Sequence, residues 1–125
     1  MSKERELFNA ALKVQKNAYA PYSNFLVGAA LRSSSGKIYT GCNVENIAYP
    51  EGTCAEAGAI ASMIAGGDRE IKEITVVADS SKPVAPCGGC RQKISEFGSS
   101  SIVISLATTS GDIISTSLGE LLPGA

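Results

Sequence analysis

At 125 residues the chain has the length of one ordinary domain, spanning 1–125, and its 44% apolar content against 18% charged is enough to bury a core without disulfides. Its 11 basic and 12 acidic residues nearly cancel, which argues against nucleic acid or an anionic membrane surface as a partner. There is no histidine, so every mechanism that turns on imidazole is excluded, Ser-His-Asp and Cys-His chemistry included.

Residues 1–6 are polar and charged with no apolar stretch behind them, so no secretory signal is expected. No apolar run approaches the ~18 residues that span a bilayer, and the expectation is a cytoplasmic protein. Leu7, Ala11, Val14 and Ala18 make a helical stripe that Pro21 ends. An apolar run at 26–31, a Ser33-Ser34-Ser35-Gly36 turn and residues 37–42 predict a two-stranded hairpin. Residues 53–65, rich in alanine and closed by Gly66-Gly67, predict a buried helix. Residues 74–78 read as an inner β-branched strand. Residues 88–97 carry Cys90, Ile94 and Phe97 at helical spacing and stop at Gly98. A strand at 102–106, a short one at 113–114 and a helical turn at 118–122 complete the chain before Pro123, with Arg69, Glu70 and Lys72 read as a solvated loop.

This order predicts an α/β fold, a three-layer α/β/α sandwich around a mixed, five-stranded sheet. The right-handed crossover rule puts the two inner helices on a common face, with their starts at one sheet edge. Three of the four cysteines fall at those starts: Cys54, and the pair Cys87 and Cys90 in Pro86-Cys87-Gly88-Gly89-Cys90. Helix N-termini favour thiolate, and three thiolates around zinc leave the fourth tetrahedral position for a reactant, the mark of a catalytic ion. Glu56, two residues after Cys54, is placed to move a proton there. A cysteine-x-glutamate followed by PCxxC is the known design of the zinc deaminases.

Five blocks in this order resemble the cytidine deaminases, of the small homotetrameric zinc-dependent type, over residues 20–123. They are Ala20-Pro21-Tyr22-Ser23-Asn24-Phe25, Val27-Gly28-Ala29-Ala30-Leu31, Asn43-Val44-Glu45-Asn46, Thr53-Cys54-Ala55-Glu56 and Pro86-Cys87-Gly88-Gly89-Cys90-Arg91-Gln92. The resemblance implies one Zn2+ per chain on Cys54, Cys87 and Cys90, with hydroxide as fourth ligand. It implies hydrolytic deamination of cytidine and 2'-deoxycytidine to uridine and 2'-deoxyuridine in pyrimidine salvage. Hydroxide would attack C4 while Glu56 shuttles protons to N3 and then to the departing ammonia. Phe25 would pack on the pyrimidine, Asn43 and Glu45 would bind the ribose hydroxyl, and Ala55 would contact the substrate. Tyr49 matches a family tyrosine near a subunit contact, and neighbouring subunits of a homotetramer would share active sites. The spacing agrees for Asn43 and Glu45, which point the same way in an extended segment.

Two departures stand out. Ala57 occupies the place of a common family arginine, which makes Arg91, with the helix N-termini, the candidate to offset the thiolate charge. The family continues past Leu121-Leu122-Pro123-Gly124 into an aromatic cover, whereas this sequence ends at Ala125, so that cover is expected to be missing or to lie beyond it. Other readings compete. Thr53 and Glu56 fit a capping box. Cys87 and Cys90 fit a redox pair, and Cys42 could close a structural four-sulfur zinc site. Phe25 fits a core position, Asn43 and Glu45 a solvated strand edge, and Tyr49 a surface aromatic. For function, the rivals are a nucleoside antibiotic or free base as substrate, and a catalytically silent zinc-binding module.

Overall fold

A computed structural model describes residues 3–123 of the chain; Met1 and Ser2 lie outside the described residues, as do Gly124 of the closing motif and Ala125. The first helix, α1 (Lys3–Gln15), buries Leu7, Phe8, Ala11 and Gln15. It stops short of Ala18 and Pro21, where the apolar stripe pointed. The main chain beyond it has better partners. Tyr19 N–H donates to Asn43 O at 2.9 Å and Tyr19 O accepts from Glu45 N–H at 2.8 Å, so a tertiary ladder replaces further helical bonds.

The hairpin forms as predicted, β1 (Val27–Ser33) against β2 (Ile38–Cys42), with Gly28 opposite Cys42. Gly36 takes a φ of 89° in its turn, a conformation that glycine adopts without steric cost. Three further strands follow: β3 (Ile71–Ala78), β4 (Val103–Thr108) and β5 (Ile113–Ser117). The strand order is β2-β1-β3-β4-β5, mixed, with β3 and β4 parallel and the other pairs antiparallel. β3 begins earlier than predicted and takes in Lys72, which is therefore strand rather than loop. Its charged start is held by Glu73, which meets Arg32 of β1 at 3.0 Å. β5 runs past Ile114 because Ser115, Thr116 and Ser117 continue the ladder with β4, where hydroxyl side chains masked the strand.

The remaining helices are α2 (Ala55–Ala65), α3 (Gly88–Phe97) and the short α4 (Leu118–Leu121). Ala59 and Met63 of α2 and Ile94 of α3 share one apolar cluster with Leu31, Ile74 and Ile104 of the sheet. On the opposite face α1 packs Leu7, Phe8 and Ala11 against Ala30, Val77 and Ala107. The result is the three-layer sandwich, with α2 and α3 on a common face. Both faces close tightly at a glycine. A Cβ on Gly28 would lie 2.2 Å from Ala11 O of α1, and one on Gly41 would lie 2.3 Å from Ala59 N of α2.

Candidate active site

β1 is antiparallel to both β2 and β3, so β2 and β3 run the same way and finish at the same end of the sheet. α2 and α3 start there, at the strand ends rather than at a lateral edge. Cys54 is the N-cap of α2 and Cys87 the N-cap of α3, with Cys90 in the first turn of α3. Their three sulfurs all lie within 4.8 Å of one another, and those of Cys54 and Cys87 are 4.0 Å apart. Cys42 is not in this group; it pairs with Gly28 in the hairpin, so the four-sulfur reading is not supported.

Glu56 follows in the first turn of α2 and is only 5% exposed. It does not complete a capping box. The cap is Cys54, and Thr53 instead pairs with Val44 through main-chain bonds in both directions, of 2.8 and 2.9 Å. Burial pushes the Glu56 carboxyl up, while its own N–H, the Cys90 thiol and the charge of Lys93 pull it back. Burial also raises the Cys54 thiol, and it raises Cys90 far more, where the charges of Glu56, Cys54 and Cys87 add to it. Cys87 moves the other way because the Cys90 N–H donates to its sulfur at 3.4 Å.

A cavity of about 390 Å3 opens over these groups, within the range of small-molecule sites. Phe25, Asn43, Glu45, Tyr49 and Ala55 line it together with Cys54, Glu56 and Cys87. Cys90 is buried behind them. The loop half of the wall is tied to itself. Asn43 accepts from Val27 N–H at 2.9 Å and donates to Phe25 O at 2.8 Å. Glu45 accepts from the N–H groups of Tyr22 and Ser23 at 3.0 and 3.2 Å, and from the Ser23 hydroxyl in a short contact. Asn43 and Glu45 thus hold the Phe25 loop, a partnership their shared direction in sequence did not reveal. Tyr49, 93% exposed in a 3-10 turn (Tyr49–Glu51), stands at the rim.

Residues 1–106 match the model of the cytidine and deoxycytidylate deaminase zinc-binding region. The chain belongs to this family. The cytidine deaminase of Sporosarcina psychrophila is 47% identical over 120 residues, covering 96% of this chain and 88% of that protein. The crystal structure of cytidine deaminase from Burkholderia pseudomallei superposes with a TM-score of 0.94 at 45% identity, covering 100% of this chain and 99% of that one. Blasticidin-S deaminase of Bacillus cereus is 32% identical over 105 residues, covering 78% of this chain and 74% of that protein.

As a member of the deaminase family the chain is a zinc-dependent hydrolase, and zinc is its cofactor. The donor set fits that ion. Thiolates ~2.3 Å from a tetrahedral centre lie about 3.8 Å from each other, close to the spacing of Cys54 and Cys87. Cys90, completely buried and resisting ionisation beside Glu56, needs a cation to become a thiolate. Among the described residues no helix is long and apolar enough to cross a membrane.

Arg91 commits its guanidinium to main-chain carbonyls, Nε to Pro86 O at 2.9 Å and Nη1 to Leu121 O at 3.0 Å. It thereby ties the PCxxC turn of this deaminase domain to α4. Sequence reasoning missed several lining residues: Val76 and Ala78 of β3, and Val84 and Ala85 of the segment before α3. The first two were findable, since they alternate with core-facing Val77 and so share the face that α2 and α3 cover. Residues 79–85 show no periodicity that would have placed the other two.

Proposed function

We propose that the chain, read as one deaminase domain over residues 1–125, hydrolyses cytidine and 2'-deoxycytidine to the corresponding uridines with release of ammonia. The observation that carries this is a buried carboxylate, Glu56, beside three converging sulfurs in one cavity with Phe25. Cys54, Cys87 and Cys90 would hold the zinc, which supplies Lewis acidity that brings the pKa of a coordinated water near neutrality. Burial raises the Glu56 carboxyl above its ordinary value, the direction that suits a group that must both take up and give back a proton. Glu56 would accept one proton from the attacking water and deliver it to N3 of the base, then take the second from the hydroxyl now on C4 and pass it to the amine as the C4–N bond breaks and the C4 carbonyl forms. Phe25 packs on the pyrimidine, Ala55 contacts it from the start of α2, and Asn43 and Glu45 reach the ribose from the loop that they order. Tyr49 and Arg91 act at the margins, Arg91 adding positive charge near the thiolates.

The experiment is ammonia release from cytidine with and without a zinc chelator, for the parent and for Glu56→Gln. We expect chelation to stop the reaction. Glu56→Gln, similar in size and able to hold a helix start, should lower kcat by at least about a hundredfold. Turnover that survives in that variant would falsify the proton-transfer role. The nucleoside antibiotic named for the Bacillus cereus relative serves as the alternative substrate, and its faster turnover would reassign the specificity. The higher identity of the Sporosarcina psychrophila enzyme favours cytidine.

Two further readings belong here. Cytidine and deoxycytidine turnover fits a salvage role in the cytoplasm, a reducing compartment that keeps the four cysteines as thiols. Shared sites in a homotetramer are supported by exposed apolar groups around the rim, with Ile47 86% and Tyr22 58% exposed beside Tyr49. Light scattering should give four times the 12.9 kDa chain mass, and a monomer that retains full activity would overturn the assembly reading.

A further inference from the structure

Three thiolates on one divalent ion carry a net charge of about −1, and a Glu56 carboxylate beside them adds another. Positive charge near such a centre stabilises it. Ala57, next to Glu56 on α2, brings none, and Arg91 bonds to the main chain at Pro86 and Leu121. Lys93 is differently placed. It lies one turn beyond Gly89 on α3, so the two share a face of the helix. A Cβ at Gly89 would be 3.9 Å from Nζ of Lys93 and 4.0 Å from Sγ of Cys87. The ammonium and the sulfur therefore lie at most about 7.9 Å apart, the sum of the two distances. That is inside the ~8 Å over which charges stay coupled in physiological salt.

We infer that Lys93, alongside Arg91, balances the thiolate zinc centre of this chain, acting through its charge rather than through a bond to sulfur. The positive charge of Lys93 also reaches Glu56. The bland alternative is a solvated lysine, since the residue is exposed on α3. Exposure is compatible with the inferred role, because a long-range charge needs no buried contact.

The inference rests on zinc occupying the three-sulfur site, so the test measures zinc itself. Competition against a chromogenic chelator gives the zinc Kd of the parent, Lys93→Gln and Lys93→Arg. At low ionic strength, about 10 mM where the screening length is ~30 Å, Lys93→Gln should bind zinc about tenfold more weakly. Near 1 M salt, with screening at ~3 Å, the difference should shrink to roughly twofold or less. Lys93→Arg, which keeps the charge, should match the parent within about twofold. Thermal unfolding of the zinc-free proteins should be the same for all three, which separates a charge effect from a folding defect. Equal affinity of Lys93→Gln and the parent at low salt overturns the role of Lys93, as does an equal loss in Lys93→Arg. A parent that takes up no zinc overturns the site reading as well, so the two failures are distinguishable.

Discussion

α1 and α2 lie on opposite faces of the sheet and approach it by the same device, helix main chain set directly against a strand glycine, Gly28 for α1 and Gly41 for α2. Both contacts are equally close, yet the candidate site has gathered at the end of only one of these faces. The difference is helix direction. The last residue of α1, Gln15, donates to Leu26 O at 3.1 Å, so α1 ends at the sheet end where β1 begins. α2 and α3 start at that same end. One face thus presents the partial negative charge of a helix C-terminus, and the other presents two N-termini. Thiolates and a carboxylate are stabilised beside the second and would be disfavoured beside the first. Equal packing on the two faces therefore gives unequal chemistry, and the polarity of the helices chooses the face.

The glycine contacts offer a direct way to break this symmetry. Gly28→Ala and Gly41→Ala each drive a methyl group into helix backbone, 2.2 Å from Ala11 O and 2.3 Å from Ala59 N respectively. Overpacking of this kind costs about 1–3 kcal/mol, so both variants should lose several degrees of thermal stability by similar amounts. Their catalysis should diverge. Cys54 and Glu56 ride on α2, and a displacement of about 1 Å costs about a hundredfold in turnover. Gly41→Ala should therefore lose about two orders of magnitude in kcat/KM, while folded Gly28→Ala, read below its melting point, should stay within a few fold of the parent. Equal losses in the two variants would show that the site is not carried by α2 alone.

Helix direction was legible in the sequence because cysteines at two helix starts, each following strand-like sequence, already imply it. The common face of α2 and α3, the hairpin and the span of α3 were legible for the same reason, in short segments with strong apolar periodicity and glycine stops. What the sequence hid were elements whose signal is polar. Ile71-Lys72-Glu73 did not read as strand because its stability comes from Arg32 across the sheet, a partner distant in sequence. The last turn of α1 was lost to Tyr19, whose main-chain partners Asn43 and Glu45 no local pattern announces. In the site the same division holds. Cys54, Glu56, Cys87 and Cys90 carry their chemistry in their spacing. The Phe25 loop is ordered by side chain–main chain bonds between segments roughly twenty residues apart, and Ser23, which anchors Glu45, left no trace beyond its place in a turn.

That loop is the softer half of the site, and its acid response sharpens the contrast with the helix-borne half. The Ser23 hydroxyl, aided by the N–H groups of Tyr22 and Ser23, holds the Glu45 carboxyl below the usual carboxylate range. A carboxylate with a depressed folded-state pKa adds order to the loop above its ordinary pKa, and the contribution fades as pH falls through the depressed value. KM for cytidine should therefore stay flat around neutral pH and rise as pH falls from the usual carboxylate range down through the depressed value. Ser23→Ala removes the largest of these bonds, so the acid-dependent rise in KM should be smaller and should end at higher pH, near the ordinary range. At neutral pH the variant should show a KM raised by about threefold to tenfold, the worth of one hydrogen bond, with kcat little changed. The split is the informative part. A fall in kcat with KM unmoved would mean that the loop serves the chemistry on α2 rather than binding, and the two halves of the site would then be a single unit.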